Sequence, residues 1–113
     1  MRATRTDLLQ GTLDLIILQL LDGGATNGWD LTLRIQATSK DVLSVNAGSL
    51  YPALYRLEAR GLIKATWKTT SKNRRAKFYA LTPAGRRQLV AERSTWERFA
   101  GALGAILNAG GNS

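Results

Sequence analysis

Residues 46–61 read Asn46-Ala-Gly-Ser-Leu-Tyr-Pro-Ala-Leu-Tyr-Arg-Leu-Glu-Ala-Arg-Gly61, and the chain continues Leu62-Ile-Lys-Ala-Thr-Trp-Lys-Thr-Thr-Ser-Lys-Asn-Arg-Arg-Ala-Lys-Phe-Tyr-Ala-Leu81. The first stretch is a capped helix. Asn46 and Ser49 are both good N-caps, and Pro52 favours the later start because a proline in the first turn loses no helical hydrogen bond. Leu50, Ala53, Leu54 and Leu57 recur at helical spacing as an inner face. Gly48, Ser49, Pro52, Tyr55, Arg56 and Ala59 fall on the outer face, with Tyr51 on its flank, and Gly61 supplies the stop. The second stretch alternates with period two from Ile63 to Lys68 and, more weakly, from Ala76 to Leu81. A polar loop, Thr69 to Arg75, joins the two halves into a hairpin.

On the N-terminal side, Leu9, Leu13, Ile16, Ile17, Leu20 and Leu21 form an amphipathic helix ended by Asp22-Gly23-Gly24. Leu8, Leu15 and Leu18 make a second apolar strip that needs another surface to cover it. A short helix follows from Trp29 to about Thr38, with Trp29, Leu31, Leu33 and Ile35 as its apolar set. Trp29 and Trp67 are expected in the core. Leu43 and Val45, alternating with Ser44, suggest a brief strand.

On the C-terminal side, Thr82-Pro83 is an N-cap with proline at the first helical position. It opens a long helix, placed at 83–108, before a disordered tail at 109–113. Leu89, Trp96 and Leu103 are spaced by seven, as are Glu92, Phe99 and Ile106. This heptad-like seam nominates Leu89, Trp96, Phe99, Leu103 and Ile106 as a dimer interface. The expected architecture is mainly α with a small β-wing. A winged helix-turn-helix DNA-binding unit spans 1–82, and the dimerisation helix follows it.

Charge is the most informative compositional feature. Residues 1–55 carry four basic and five acidic side chains, residues 56–87 carry ten basic and only Glu58, and residues 88–113 carry two of each. The whole excess of +8, and the pI near 10.6, therefore comes from one stretch of 32 residues. A solubilising surface mixes signs, so a localised footprint points to a polyanionic partner. Lys64, Lys68, Lys72, Arg74, Arg75 and Lys77 bring the hairpin six cations and no acid. The candidate DNA contacts are Asn46, Ser49, Tyr51, Pro52, Tyr55 and Arg56 on the helix, with Lys72, Arg74, Arg75 and Lys77 on the wing. Tyr51 fits burial against the neighbouring helix as well as it fits DNA, whereas Tyr55 lies further round the exposed face.

The 113-residue chain has neither cysteine nor histidine. Disulfides, thiolate catalysis, the common zinc sites and the commonest general base are excluded. No cofactor or metal is expected. No apolar run approaches a membrane span, and no cleavage site follows the N-terminal arginines, so a cytoplasmic protein is expected.

The stretch from Asn46 to Ile63, followed by Arg75-Ala-Lys-Phe-Tyr-Ala-Leu-Thr-Pro-Ala-Gly-Arg86, closely resembles the PadR family of transcriptional regulators. The resemblance runs from about Gln10 to Leu107, and the length is similar to the short subfamily with a single C-terminal dimerisation helix. It implies repression at a pseudo-palindromic operator by a homodimer, relieved in some members by phenolic or planar aromatic compounds. Asn27-Gly28-Trp29 departs from the family pattern, which commonly has an aromatic before the glycine and tyrosine after it. On a two-fold axis Trp96 would approach its symmetry mate, and two indoles can sandwich a flat ligand. Leu8, Asp14, Leu15, Leu18, Trp96 and Phe99 form that candidate effector set, with interface packing of Trp96 as the plainer alternative.

Three other functions fit less of the sequence. An RNA- or ribosome-binding basic domain shares the charge but leaves the heptad seam unexplained. A winged helix used for protein interaction would leave the basic hairpin without a polyanion. An enzyme would need a nucleophile–base pair, and none is visible.

Overall fold

A computed structural model describes the backbone of residues 5–111 and the side chains of residues 11–109. The elements are α1 (Arg5–Asp22), β1 (Thr26–Asn27), α2 (Gly28–Thr38), α3 (Ala47–Ala59), β2 (Ile63–Thr69), β3 (Arg75–Leu81) and α4 (Pro83–Gly111). The strands form one antiparallel sheet in the order β1-β3-β2, with Thr26 opposite Tyr79 and Ile63 opposite Leu81. This is a winged-helix architecture, mainly α with a small wing. Leu8 and Leu9 lie outside the described side chains, and Asn112 and Ser113 outside the described residues altogether.

One core joins α1, α2, α3, the base of the sheet and the start of α4. Its principal members are Ile17, Leu18, Leu31, Leu50, Leu54 and Leu57, closed by Ile63, Tyr79 and Leu89. The inner face of α3 is as its periodicity requires: Leu50, Ala53, Leu54 and Leu57 are all buried. Burying each of the leucines contributes about 1.5–3 kcal/mol, so this one face anchors α3.

Several sequence expectations need correction. Leu43–Val45 is a loop, because the free edge of β3 is taken by β1 and a strand needs a partner. Lys40 and Asp41 adopt positive φ, and Ser39 Oγ accepts from the Leu43 N–H at 2.9 Å, which curls the segment instead of extending it. Helix α3 takes the earlier start, with Asn46 as its N-cap, so Pro52 lies in its second turn and has no N–H for the Gly48 carbonyl. Leu18 is wholly buried in the core, leaving Leu15 without it on the second strip. Leu89 is only 3% exposed and belongs to the core of the single chain, not to a dimer seam. Helix α4 runs to Gly111, past the expected end at 108.

Neither Trp29 nor Trp67 is a core residue; they are 68% and 56% exposed. In α2 the buried positions are Gly28, Leu31 and Ile35, spaced by three and four, and Trp29 falls off that row. Trp67 shares the inward face of β2 with Ile63, but the hairpin extends beyond the helices, so the same face is buried at one end and open at the other.

The base of the wing is fastened to α4 by a small knot. Gly61, at φ +74°, turns the chain out of α3. The Thr82 hydroxyl donates to the Gly61 carbonyl at 2.7 Å and accepts from the Gly85 N–H at 3.0 Å. The Thr82 N–H donates to the Leu62 carbonyl at 3.1 Å. Gly85 lies so close that an added Cβ would overlap that carbonyl. Gly85→Ala should therefore cost about 3 kcal/mol or more, because the obstacle is backbone and cannot turn aside. Urea denaturation checks this, and unchanged stability would show that the first turn of α4 is not pressed against Leu62.

Candidate nucleic-acid interface

Helix α3 is capped by Asn46, whose Oδ1 accepts from the Ser49 N–H at 2.9 Å. The exposed ridge carries Gly48, Pro52, Tyr55 and Ala59, with Tyr55 outermost at 75% exposed. Tyr51 lies on one flank, where its ring packs on Gly28: a Cβ there would come within 2.7 Å of the Tyr51 hydroxyl. Its outer side stays exposed, so the tyrosine is at once a packing residue and a surface one. This contact also gives Gly28 a reason to be glycine, while Asn27 caps α2 by accepting from the Asp30 N–H at 2.8 Å.

Ser49 and Arg56 occupy the other flank, toward α1. Arg56 is half-buried, and its Nη2 meets Asp14 Oδ1 at 3.1 Å. A sequence-level DNA candidate and a sequence-level effector candidate thus form an ion pair between α3 and α1. Burial pushes the Asp14 carboxyl above its ordinary value; the Arg56 guanidinium opposes that rise, and nearby Glu92 adds to it. Glu92 in turn accepts from the Gln88 side chain at 2.9 Å, which brings α4 to the same junction.

The wing turns through Thr70–Arg74. The Thr70 N–H donates to the Arg74 carbonyl at 2.7 Å, and Asn73 takes positive φ at the tip. Lys72 and Arg74 are exposed on this turn. Arg75 lies over the Trp67 ring, 5.4 Å from its centroid, and Lys68 lies over Phe78 at the same distance. Lys77 reaches Glu58 of α3 at 3.6 Å, the one acid of the basic stretch. The Lys77–Glu58 pair therefore ties the wing to the helix that carries Tyr55, while Ser49 and Arg56 lie on the flank toward α1. Sequence reasoning missed Trp67 as a surface residue; the position of the hairpin past the last helical contact was the signal.

The effector candidates are divided. Leu15 and Trp96 line a mostly apolar hollow of about 320 Å³ with Ile16, Leu20, Leu43 and Arg93. Phe99 stacks obliquely on Trp96, with centroids 5.6 Å apart. Asp14 is engaged by Arg56, Leu18 is buried, and the Leu8 side chain is outside the described set. No group of three or more potential metal ligands lies together among the described residues. No described helix is long and apolar enough to cross a membrane.

Because the folded chain holds the Asp14 proton more tightly than the unfolded chain, this residue contributes stability below its ordinary pKa of 3.8 and loses it as pH rises past that value. Asp14→Asn removes the dependence. The unfolding free energy of the native chain relative to this variant should fall as pH is raised from about 3 to 6, measured by chemical denaturation. A difference that instead grows with pH would mean that the Arg56 pairing outweighs burial.

Residues 17–91 match the family described as transcriptional regulator PadR-like. The chain is 35% identical over 83 residues to a transcriptional regulator of Mycobacterium tuberculosis, covering 74% of this chain and 77% of that one. Among solved structures it is similar to a transcriptional regulator from Clostridium thermocellum, with a TM-score of 0.78, 29% identity and 86% and 94% of the two chains covered. It is similar also to a PadR-like transcriptional regulator from Bacillus cereus, with a TM-score of 0.77, 27% identity and 89% and 96% covered. With the winged helix and its basic edge in place, these matches over most of the chain mean that this protein belongs to the PadR-like family of transcriptional regulators.

Proposed function

We propose that this chain is a sequence-specific repressor that binds duplex DNA as a homodimer. The observation that carries the reading is the exposed ridge of α3 with a cationic wing tied to the same helix through Lys77 and Glu58. In this reading Tyr55, with Ser49 on the flank, meets base edges in a major groove, while Lys72 and Arg74 meet flanking phosphates. Arg56 is held at the flank by Asp14, and Asn46 is occupied with its cap, so both serve mainly to set the helix. A dimer seated over an operator blocks transcription by occupancy.

The dimer is proposed from α4. Beyond Leu89 this helix leaves the core, and Trp96, Phe99, Leu103 and Ile106 are all exposed on it. A second copy related by a two-fold axis would cover them and present two recognition helices to a pseudo-palindrome. Placing charges at both Phe99 and Leu103 should give a monomer by light scattering at micromolar concentration. The same variant should lose operator binding, while the native dimer prefers a symmetric duplex to RNA of equal length. A native monomer, or a charged variant that still binds as a dimer, contradicts the assignment.

A planar aromatic effector is proposed beside Trp96, supported by the apolar hollow that its indole lines and by the small residues beyond it. Such a ligand would relieve repression by favouring a different spacing of the recognition helices. Fluorescence titration with phenolic acids and planar dyes should show saturable binding to the native chain that Trp96→Ala abolishes. Equal affinity in both proteins would leave Trp96 as packing alone.

A further inference from the structure

We infer that Trp67, with Arg75 stacked on it, is a DNA-contacting residue of the wing that packs its indole against the sugar–phosphate wall of the duplex. The inference rests on the DNA-binding reading above and adds to it a contact that is neither a cation nor part of α3.

Placement comes first. Strand pairing sets Ala65 opposite Tyr79, Trp67 opposite Lys77 and Thr69 opposite Arg75. These residues share the inner face of the sheet, and along it the cover of the helices runs out: Ile63 is buried, Ala65 half-buried and Trp67 open to solvent. Arg75 is the diagonal neighbour of Trp67 on that face, which is how its guanidinium comes to lie 5.4 Å from the ring centroid. Lys77, directly across the ladder, reaches Glu58 on α3, so this face of the wing looks toward the helix that carries Tyr55.

The chemistry narrows the partner. An exposed indole offers a flat apolar face and one N–H donor, with no acceptor. Phosphate oxygens accept that N–H, and deoxyribose packs against the face. A guanidinium stacked on the other side keeps its in-plane N–H groups free for phosphate. Arg75 and Lys77 share the sheet face of the ring, Lys72 and Arg74 follow on the turn, and Lys68 sits on the opposite face over Phe78, with Glu58 the one acid of the basic stretch. A surface so charged favours a polyanion over a neutral or basic protein partner. Since Trp67 carries no charge, its contribution should differ from that of its neighbours: it adds affinity without releasing counterions.

The full chain is assayed as Trp67→Ala, Trp67→Phe, Arg75→Ala and the Trp67→Ala/Arg75→Ala pair, by equilibrium binding to one duplex over a range of salt. Trp67→Ala should weaken binding roughly tenfold, as expected for loss of a packed donor to a charged acceptor, with an unchanged log–log salt slope. Trp67→Phe should recover part of that loss. Arg75→Ala should lower the slope by about one unit per contact removed, two per dimer. In a Trp29→Phe/Trp96→Phe background, the remaining indole emission should change saturably at the same midpoint as binding. Native melting temperatures are expected for the Trp67 and Arg75 variants, each compared with its own parent, since Trp67 lies outside the core. Unchanged affinity in Trp67→Ala, or unchanged emission, overturns the inference. So does a slope loss equal to that of Arg75→Ala with no further weakening in the pair, which would make Trp67 only a support for Arg75. A native chain that binds no duplex even at low salt overturns the DNA reading itself, whereas tight native binding with an indifferent Trp67 overturns this contact alone.

Discussion

The Leu62 carbonyl is the point through which the molecule is connected. It accepts the Thr82 N–H, and the first turn of α4 lies against it so closely that residue 85 has no room for a side chain. Four elements meet there: the end of α3, the start of β2, the end of β3 and the start of α4. A hydroxyl that both donates to Gly61 and caps α4 contributes about 1 kcal/mol by itself, but its larger effect is geometric. It fixes the direction in which the long helix departs relative to the helix that would read DNA. The Arg86–Asp22 pair at 2.9 Å adds the end of α1 to the same junction.

Around this junction the charges are sorted. The basic stretch is contiguous in sequence, yet its members do different work. Arg56 is taken up by Asp14 and Lys77 by Glu58, each tying a neighbouring element to α3, and Arg86 by Asp22 ties α4 to α1. Exposed pairs contribute little to stability, so their value is in holding orientation. Among the described residues Lys72 and Arg74 on the turn of the wing make no ion pair, nor do Arg60, Lys64 and Arg87, while Arg75 and Lys68 rest on aromatic faces. The turn of the wing thus presents Lys72 and Arg74 to solvent beside Arg75, an arrangement that suits a phosphate backbone.

Much of this was legible in the sequence because short-range rules decided it. The inner face of α3, the hairpin, the Gly61 stop and the Thr82-Pro83 start each follow from spacing and cap chemistry within a few residues. Apart from the local choice between Asn46 and Ser49 as the cap of α3, the main misreadings concern where an element lies relative to others. Periodicity correctly put Trp67 on the inward side of β2, but only the length of the hairpin against the helices shows that this side is uncovered there. Leu89 and Trp96 share a heptad row, yet the core ends between them. Leu43–Val45 has a strand-like pattern, but the edge it would need is held by Thr26–Asn27, a two-residue strand too short to announce itself. Among the proposed contact residues, exposure could be read from face assignment, whereas the Asp14–Arg56 pairing, 42 positions apart, could not.

The extended shape of the chain, 61 Å by 29 Å by 27 Å, comes from α4. Its first two turns are core and its remainder is an arm. In the proposed dimer the partner grips the arm, while the recognition helix hangs from the other end of the same rigid helix through Thr82 and Gly61. A small change in how two arms cross near Trp96 would be carried to α3 as a rotation, because α4 begins hydrogen-bonded and closely packed at Leu62. Major grooves one turn apart present themselves about 34–36 Å from centre to centre, and a pair of helices held at another spacing cannot enter both. A ligand beside Trp96 would thus need only to prefer one crossing geometry over another, and its leverage on DNA affinity would be set by the stiffness of the joint between α3 and α4.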